Sequence, residues 1–368
     1  TWDQIGGRPT GVHVDQQAIA FDPNGHRHVY LANDGGIFAS RDNGRLGSWR
    51  FASRGMVATH VYVMSVSQTA TLCYGGSIQD DFAYAYVGPR EWSPLAAGPG
   101  QGGGEGGYVE YDPSNHEVIY HDPFASNLLK SADAGATWAD LGIDTPADYA
   151  EPLAISWHDP DLLLAISVAP DEGLVRSTDG GSTWNKVLDQ HFLTTVQLAP
   201  SDDHHAYAAD ALGSVWHSSD RGATWAPLNT NALPDEKVQC LAVDWGDPQR
   251  IYVALGQTTG TRVAGVRWLW RGDLVAAGAV TWFDASGSTP AASLPDLPLT
   301  ALALHPTLDD VIYVSNMLGV LRSLDGGDSW ASYDQGLPNA YVSDLDVRPR
   351  DRSLFASTMG RGIYRRFI

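Results

Sequence analysis

The chain has 368 residues, of which 43% are hydrophobic and 18% are charged, so it is long enough to bury a sizeable core. Its 43 acidic residues outnumber its 23 basic ones, and the formal net charge of −20 argues against a nucleic-acid or anionic-membrane partner. No apolar run approaches the 18 residues of a membrane-spanning helix, so no membrane insertion is expected.

Tryptophan residues divide the chain into units of similar length. From Trp49 onward they follow one another at intervals of 41 to 57 residues, and Trp2 lies one unit upstream. Self-similarity at a fixed period is the sequence sign of a repeat architecture. The tryptophans that mark the units are Trp2, Trp49, Trp92, Trp138, Trp184, Trp225, Trp282 and Trp330.

Each unit contains four short apolar segments that are typical of β-strands. The first ends in a turn signal, as in AIAFDP, YVEYDP and LAVDWGDP, and the second follows that turn, as in HVYLAN and IYVAL. The third, as in GLVRSTD, precedes the tryptophan, and the fourth begins at it. Four short strands per unit are typical of a β-propeller blade. We therefore predict an all-β fold in which residues 1–368 form a single β-propeller of eight four-stranded blades, with seven blades as the alternative.

The two ends of the chain together supply one blade. The last unit stops after its third strand, GIYRRFI, and the first residues, TWDQI, read as a fourth strand without the other three. Pairing of the N-terminal strand, residues 1–5, with the C-terminal blade would close the ring and leave no free edge. In such a ring Cys73 and Cys240 face each other from opposite blades, too far apart for a disulfide bond.

An octapeptide with the pattern Ser-x-Asp-x-Gly-x-Thr/Ser-Trp occurs at 131–138, 177–184, 218–225 and 323–330. Its Ser and Asp oxygens can accept hydrogen bonds from backbone N–H groups, and its glycine allows positive φ, so it reads as a structural turn between third and fourth strands. The motif resembles the Asp-box, or BNR repeat, of sialidases, sortilin-type receptors, xyloglucan hydrolases and photosystem assembly factors. The resemblance covers nearly the whole chain and implies a propeller whose boxes lie far from the site. It implies no single function, because catalysts, lectins and assembly factors share it.

The loops of the opposite face, nearest the axis, carry the candidate site residues. The segment GPGQGGGEGG has seven glycines in ten residues, which lets the backbone approach a ligand closely and deliver Glu105. The segments YGGSIQDD and GGEGGYVEYDP also resemble parts of bacterial sortilin-like BNR proteins. The predicted catalytic acids are Glu105, Asp80 and Asp81. The predicted ligand-binding residues are Gln79, His13, His60, His121, Asp122, Tyr149, Glu151, His191, Arg262 and Arg361.

Paired carboxylates suit the hydrolysis of glycosidic bonds, in which one acts as an acid and the other as a base or nucleophile. We therefore predict a monomeric, glycoside hydrolase-like propeller without a cofactor, acting on a glycan at the axial face. No signal-like segment begins the chain, which we interpret as a mature form of a secreted or periplasmic protein. A sialidase is not expected, because the segment GGRPTG is a poor match to the Arg-Ile-Pro motif that this resemblance would require.

Two alternatives remain open. A non-catalytic propeller that binds a glycan or a protein, as a lectin or an assembly factor does, would present the same loops. A metal enzyme would instead use histidines from four units on one face, namely His13, His60, His121 and His191.

Overall fold

The computed structural model describes residues 12, 16–24, 27–33, 35–54, 59–70, 74–78, 82–86, 92–95, 106–123, 127–146, 151–256, 265–275 and 279–368. These residues form eight antiparallel sheets, as the all-β prediction requires. Within the same ranges no helix is long and apolar enough to cross a membrane.

The strands follow one another in chain order within each sheet, so every connection is a hairpin. Sheets 1 and 2 contain β1 Gln16–Phe21, β2 Val29–Asn33, β3 Gly36–Ser40 and β4 Trp49–Phe51, then β5 Val61–Val66, β6 Tyr74–Ile78, β7 Phe82–Tyr86 and β8 Trp92–Pro94. Sheets 3 and 4 contain β9 Tyr108–Asp112, β10 Asn115–Asp122, β11 Asn127–Ser131 and β12 Ala139–Asp144, then β13 Leu153–Ile155, β14 Leu163–Ser167, β15 Gly173–Ser177 and β16 Asn185–Leu188.

Sheets 5 and 6 contain β17 Leu193–Leu198, β18 Ala206–Asp210, β19 Val215–Ser218 and β20 Ala226–Pro227, then β21 Val238–Val243, β22 Arg250–Leu255, β23 Leu269–Leu274 and β24 Val280–Asp284. Sheet 7 contains β25 Ala301–Leu304, β26 Ile312–Asn316, β27 Gly319–Ser323 and β28 Ala331–Ser332. Sheet 8 has three strands, β29 Val342–Arg348, β30 Ser353–Thr358 and β31 Gly362–Phe367, and a 3-10 turn at Pro349–Asp351.

Burial falls from the inner to the outer strands of a sheet. In sheet 4, β14 is buried at all five positions, whereas the fourth strand β16 has no buried position. Inner strands lie between neighbouring sheets on both faces, so they are apolar on both faces instead of alternating. The core therefore forms a series of apolar layers between successive sheets.

The four octapeptides form the same turn between the third and fourth strands. The Ser177 hydroxyl accepts the N–H groups of Asp179 and Gly181 at 3.2 and 2.9 Å, and it donates to Asp179 Oδ1 at 2.7 Å. Asp179 in turn accepts the N–H and hydroxyl of Thr183 at 2.8 and 2.6 Å. The other three octapeptides repeat these bonds around Asp133, Asp220 and Asp325. The Ser and Asp oxygens of each octapeptide thus form their hydrogen bonds inside the turn itself.

The inner strand of sheet 8 lies directly against the inner strand of sheet 2. The Ser343 hydroxyl donates to the carbonyl oxygen of Val61 at 2.5 Å, and His60 forms an antiparallel bridge with Met359. Inner-strand contacts also join sheet 2 to sheet 3 and link sheets 4 to 8 in turn, and the Tyr108 hydroxyl oxygen of sheet 3 lies 3.2 Å from Leu153 O of sheet 4. Seven sheets, from sheet 2 to sheet 8, therefore surround the axis.

Sheet 1 does not separate sheets 8 and 2. Its first strand, β1, is exposed at all six positions, although the sequence AIAFDP predicts an inner strand. Its apolar cluster consists only of residues from the same part of the chain, namely Val12, Val29, Leu31, Phe38 and Trp49. The eight predicted sheets are thus present, and within the described residues inner-strand contacts join sheets 2 to 8.

The predicted closure by residues 1–5 lies outside the described residues, as does Cys73. Cys240 is a free, buried thiol in β21, and burial raises its pKa well above the ordinary value.

Candidate functional site

A cavity of about 210 Å³ lies on the axis, between the inner strands of sheets 2 to 8. Four carboxyl side chains line it, namely Glu110, Glu151, Asp344 and Asp346. The described residues that line it include no lysine, arginine or histidine. The cavity is therefore acidic and lacks an internal counter-charge from these residues.

The strands explain how the acids meet. Glu110 is the central residue of β9, and Asp344 and Asp346 are two residues apart in β29, so these two point to the same side. Glu151 precedes β13, where it forms a parallel bridge with Thr195. Inner strands converge on the axis, which brings acids distant in sequence into one cavity.

Side-chain donors bind two of the four acids. Tyr108 donates its hydroxyl hydrogen to Glu110 Oε2 at 2.9 Å, and Ser65 donates to Glu110 Oε1 at 3.1 Å. Thr195 Oγ1 and Gln197 Nε2 both donate to Oε2 of Glu151 at 3.0 Å. Within the described part of the chain Oε1 of Glu151 receives no hydrogen bond, so this oxygen can interact with a ligand.

Backbone donors bind the other two acids. Asp344 Oδ2 accepts the N–H of Met64 at 2.9 Å, and Asp346 Oδ2 accepts the N–H of Val66 at 2.9 Å. Both bonds cross from sheet 2 to sheet 8. These two aspartates therefore connect the sheets as well as lining the cavity.

Burial shifts the proton affinities of the whole group upward. It raises the pKa of Glu151 to about 7, with a further contribution from Asp344, and it raises the pKa of Asp344 to about 6. The pKa of Asp346 rises to about 7 through burial and then the Asp344 charge. Burial, followed by repulsion from Asp346, raises the pKa of Glu110 well above its ordinary range. All four carboxyl groups thus hold a proton more tightly than exposed carboxyl groups do.

A pair of tryptophans lines the cavity where the inner strands end. Trp157 follows β13 and Trp245 follows β21, and their ring centroids are 5.1 Å apart with the planes at 81°. Trp245 donates its indole N–H to the carbonyl oxygen of Leu304 at 3.2 Å, which fixes its ring. Both rings are half-buried and offer apolar surface beside the carboxyl groups.

Among the predicted ligand-binding residues that the structure describes, Glu151 alone lines the cavity. His121 is buried and donates from Nδ1 to the Tyr108 carbonyl oxygen at 2.8 Å, and burial lowers its pKa to about 4, so it is neutral and structural. Asp122 is buried and accepts the hydroxyl of Thr145 at 2.6 Å. Both side chains are therefore hydrogen-bonded inside sheet 3 and do not line the axial cavity.

Three other predicted residues lie at the surface. His60 is exposed at the contact between sheets 2 and 8. His191 is exposed and pairs with Glu172 at 2.7 Å, and Arg361 is exposed and donates to the Gly360 carbonyl oxygen at 2.8 Å. The remaining predicted residues lie outside the described part of the chain, namely Gln79, Asp80, Asp81, Glu105, His13, Tyr149 and Arg262.

The three described histidines of the metal alternative do not converge. In the described ranges, the only three side chains whose ligand atoms all lie within 4.8 Å of one another are Asp202, Asp203 and His204. His60, His121 and His191 contact different partners, as described above. A site built from these three is therefore not formed.

Sequence reasoning missed Glu110, Asp344 and Asp346. They lie within β9 and β29, the first strands of sheets 3 and 8, and not in the loops where site residues were expected. An acid inside an innermost, apolar strand was the available signal, because such a strand has no solvent-exposed face.

Comparisons with known proteins indicate two groups of relatives. The Sortilin-Vps10 family model, described as sortilin, neurotensin receptor 3, matches residues 172–266. Vacuolar protein sorting/targeting protein 10 of Aspergillus clavatus is 31% identical over 32% of this chain and 8% of its own length. A xyloglucanase of a Paenibacillus species is 23% identical over 73% of this chain and 24% of its own. The chain therefore spans less than a third of either relative.

Solved structures share the fold. The GH74 xyloglucanase from Xanthomonas campestris superposes with a TM-score of 0.65 at 21% identity, covering 84% of this chain and 52% of that chain. The Niastella koreensis GH74 enzyme gives a TM-score of 0.62 at 18% identity, with the same two coverages. At these identities the similarity shows a common propeller architecture.

Proposed function

This chain belongs to the BNR/sortilin-like β-propeller superfamily, and we propose that it is a glycoside hydrolase-like propeller that acts on a neutral glycan at the axial cavity. The observation that carries the proposal is Glu151, whose pKa of about 7 is set by burial in a cavity that it shares with other acids. A general acid works best when its pKa lies near the working pH.

The proposed role of Glu151 is proton donation to the glycosidic oxygen. Its Oε2 is held by Thr195 and Gln197, which leaves Oε1 to face the substrate. Hydrolysis also needs a second, ionised carboxylate as base or nucleophile. Asp80, Asp81 and Glu105 remain the predicted candidates for that role, and Asp344, with its lower pKa of about 6, is a further one.

The acidic lining disfavours an anionic substrate, because a uronic or sulfated sugar would meet four carboxyl groups without a described counter-charge. The aromatic faces of Trp157 and Trp245 suit the apolar faces of a sugar ring. The cavity is smaller than the roughly 300–1,000 Å³ of typical ligand pockets, so it would admit one sugar unit of a longer chain. A polysaccharide is met outside the cytoplasm, so secretion or export to the periplasm is part of the proposal.

The test is a hydrolysis screen on xyloglucan and other neutral glucans, with released reducing ends as the readout and a glycan array as the binding assay. We expect turnover by the native protein, and we expect Glu151→Gln to abolish turnover while it still binds the glycan. Glu105→Gln tests the predicted partner in the same way. Glu172→Gln is the matched control, because Glu172 is exposed and pairs with His191.

The second candidate is a non-catalytic binding propeller. Its supporting observation is the set of four cavity acids without a described basic neighbour, which would favour a ligand with a cationic group over a glycan. The similarity to vacuolar sorting proteins is compatible with this role. If no glucan is hydrolysed and Glu151→Gln weakens the binding of a basic peptide instead, the hydrolase proposal is wrong and this one replaces it.

A further inference from the structure

Two histidines of sheet 5 face each other away from the axial cavity. His205 precedes β18, and His217 lies in β19 opposite Tyr207. Residues two apart on a strand point to the same face, so His205, Tyr207 and His217 share one face of the sheet. Nδ1 of His205 and Nε2 of His217 are 2.9 Å apart, and both side chains are half-buried.

The two imidazole rings are aligned almost end to end. Their planes differ by 23° and their centroids are 5.1 Å apart, so the two close nitrogens lie between the rings. The Tyr207 ring lies 4.9 Å from that of His217, and its hydroxyl group donates to the Pro248 carbonyl oxygen at 2.7 Å. A buried, hydrogen-bonded tyrosine therefore restricts the His217 ring.

The two facing nitrogens form one hydrogen bond. One ring donates its N–H and the other accepts through its nitrogen lone pair, so a single proton lies between the two nitrogens. Burial, followed by the His205 charge, lowers the pKa of His217 to about 4. Metal binding requires deprotonated ligands, and no proton has to leave the protein here. The shared proton only moves to the other nitrogen of its own ring.

We propose that His205 Nδ1 and His217 Nε2 form a binding site for a divalent transition-metal ion, with water completing the coordination. Zinc–nitrogen distances of about 2.0–2.1 Å in a tetrahedral site place two nitrogens roughly 3.3 Å apart. The two nitrogens therefore need to separate by a few tenths of an ångström, and the rings need to turn so that both lone pairs face the ion. Imidazole nitrogens favour Cu²⁺, Zn²⁺ and Ni²⁺ over Mg²⁺ and Ca²⁺, which defines the chemical class of the ligand.

The adjacent group of Asp202, Asp203 and His204 is the competing location. Asp203 Oδ2 already accepts Ser156 Oγ at 2.7 Å and Arg221 Nη2 at 3.0 Å. Its nearby arginine charge opposes a cation there. We therefore assign the metal to the His205–His217 pair.

The test uses the full chain without an affinity tag, titrated with CuCl2, ZnCl2 and MgCl2 by calorimetry. Electron paramagnetic resonance of the Cu²⁺ form counts the nitrogen ligands. We expect Cu²⁺ to bind more tightly than Zn²⁺, Mg²⁺ not to bind, and two nitrogens to couple to copper. His217→Gln should raise the Cu²⁺ Kd at least about tenfold, the loss expected even for an outer-shell partner.

The control is His204→Gln, which removes an exposed histidine from the same turn and should leave the Kd unchanged. His205→Gln repeats the test from the other side of the pair if His217→Gln does not fold. The proposal is overturned if neither Cu²⁺ nor Zn²⁺ binds, if His204→Gln abolishes binding, or if His205→Gln and His217→Gln both retain it.

Discussion

Asp346 Oδ2 accepts a 2.9 Å hydrogen bond from the backbone N–H of Val66, although the two residues are 280 positions apart in the sequence. Asp344 does the same for Met64 at 2.9 Å. The carboxyl groups of Asp344 and Asp346 thus connect sheet 8 to sheet 2, at the junction between the last and the first of the seven sheets around the axis. Their raised pKa values make this junction sensitive to pH.

Asp346→Asn should change how thermal stability depends on pH. The pKa of Asp346 in the folded protein is raised from 3.8 to about 7, so the folded state binds the proton more tightly than the unfolded chain does. The stabilisation is complete below about pH 4 and is lost as the pH rises toward about 7. Asparagine keeps the acceptor oxygen without ionising. The melting temperature of Asp346→Asn relative to the native protein should therefore increase between about pH 4 and about pH 8. A constant difference across this range would contradict the raised pKa.

Ser177→Ala should destabilise the fold and leave any ligand affinity intact. The Ser177 hydroxyl is buried and accepts two backbone N–H groups, one of them from the buried Gly181. Leaving such a group unpaired costs about 1–3 kcal/mol. Chemical denaturation measures this loss, and Ser182→Ala, an exposed position in the same turn, is the control. Loss of activity in a fully folded Ser177→Ala protein would mean that the turn is part of the site.

Deletion of residues 1–5 should lower stability and promote aggregation. In the described part of the chain β31 pairs with β30 alone, so sheet 8 lacks a fourth strand. An unpaired edge strand is a template for association with other chains. Light scattering and the melting temperature of the shortened protein are the measurements. If both match those of the full chain, residues 1–5 are not the missing strand.

Turnover, if present, should fall as the pH rises through about 7. Glu151 acts as an acid only while it is protonated, and its pKa is about 7. The pH profile of kcat on the best glucan measures this limb. The exposed control Glu172→Gln should keep the same profile. An alkaline limb far above this value would assign the acid to another group.

The Cys240 thiol should resist modification in the folded protein. It is buried in β21, and burial raises its pKa well above the ordinary value, so little thiolate is available. Ellman's reagent followed by mass spectrometry of the Cys240 peptide should show labelling only after denaturation. Rapid labelling in buffer would mean that β21 opens readily or is not part of the core.

Local patterns predicted the strands well, but not the neighbours of each sheet. YVEYDP and the octapeptide at 177–184 predict an inner strand and a turn because both signals lie within a few residues. AIAFDP reads equally well as an inner strand, yet β1 is exposed. The choice of β5 as the neighbour of β29 depends on Asp344 and Asp346 reaching N–H groups far away in the sequence. No local pattern contains that information.

The candidate site was predictable only where it coincides with a loop. Glu151 was identified because it precedes an inner strand on the axial face. Glu110 and Asp346 lie within strands, and the sequence analysis missed them because it expected functional residues in loops. A buried acid in an inner strand indicates a candidate site only when the other strands that converge on the axis are known.

Sheet 1 has a consequence for how this chain could change over evolutionary time. Its apolar residues cluster with one another, and β5 already contacts β29 without it. A module of this kind can be gained, lost or exchanged by recombination without reopening the ring. Related genes with and without this segment should therefore encode the same ring of sheets 2 to 8, and a chain that lacks residues 16–54 but keeps residues 1–5 should fold around an intact axial cavity.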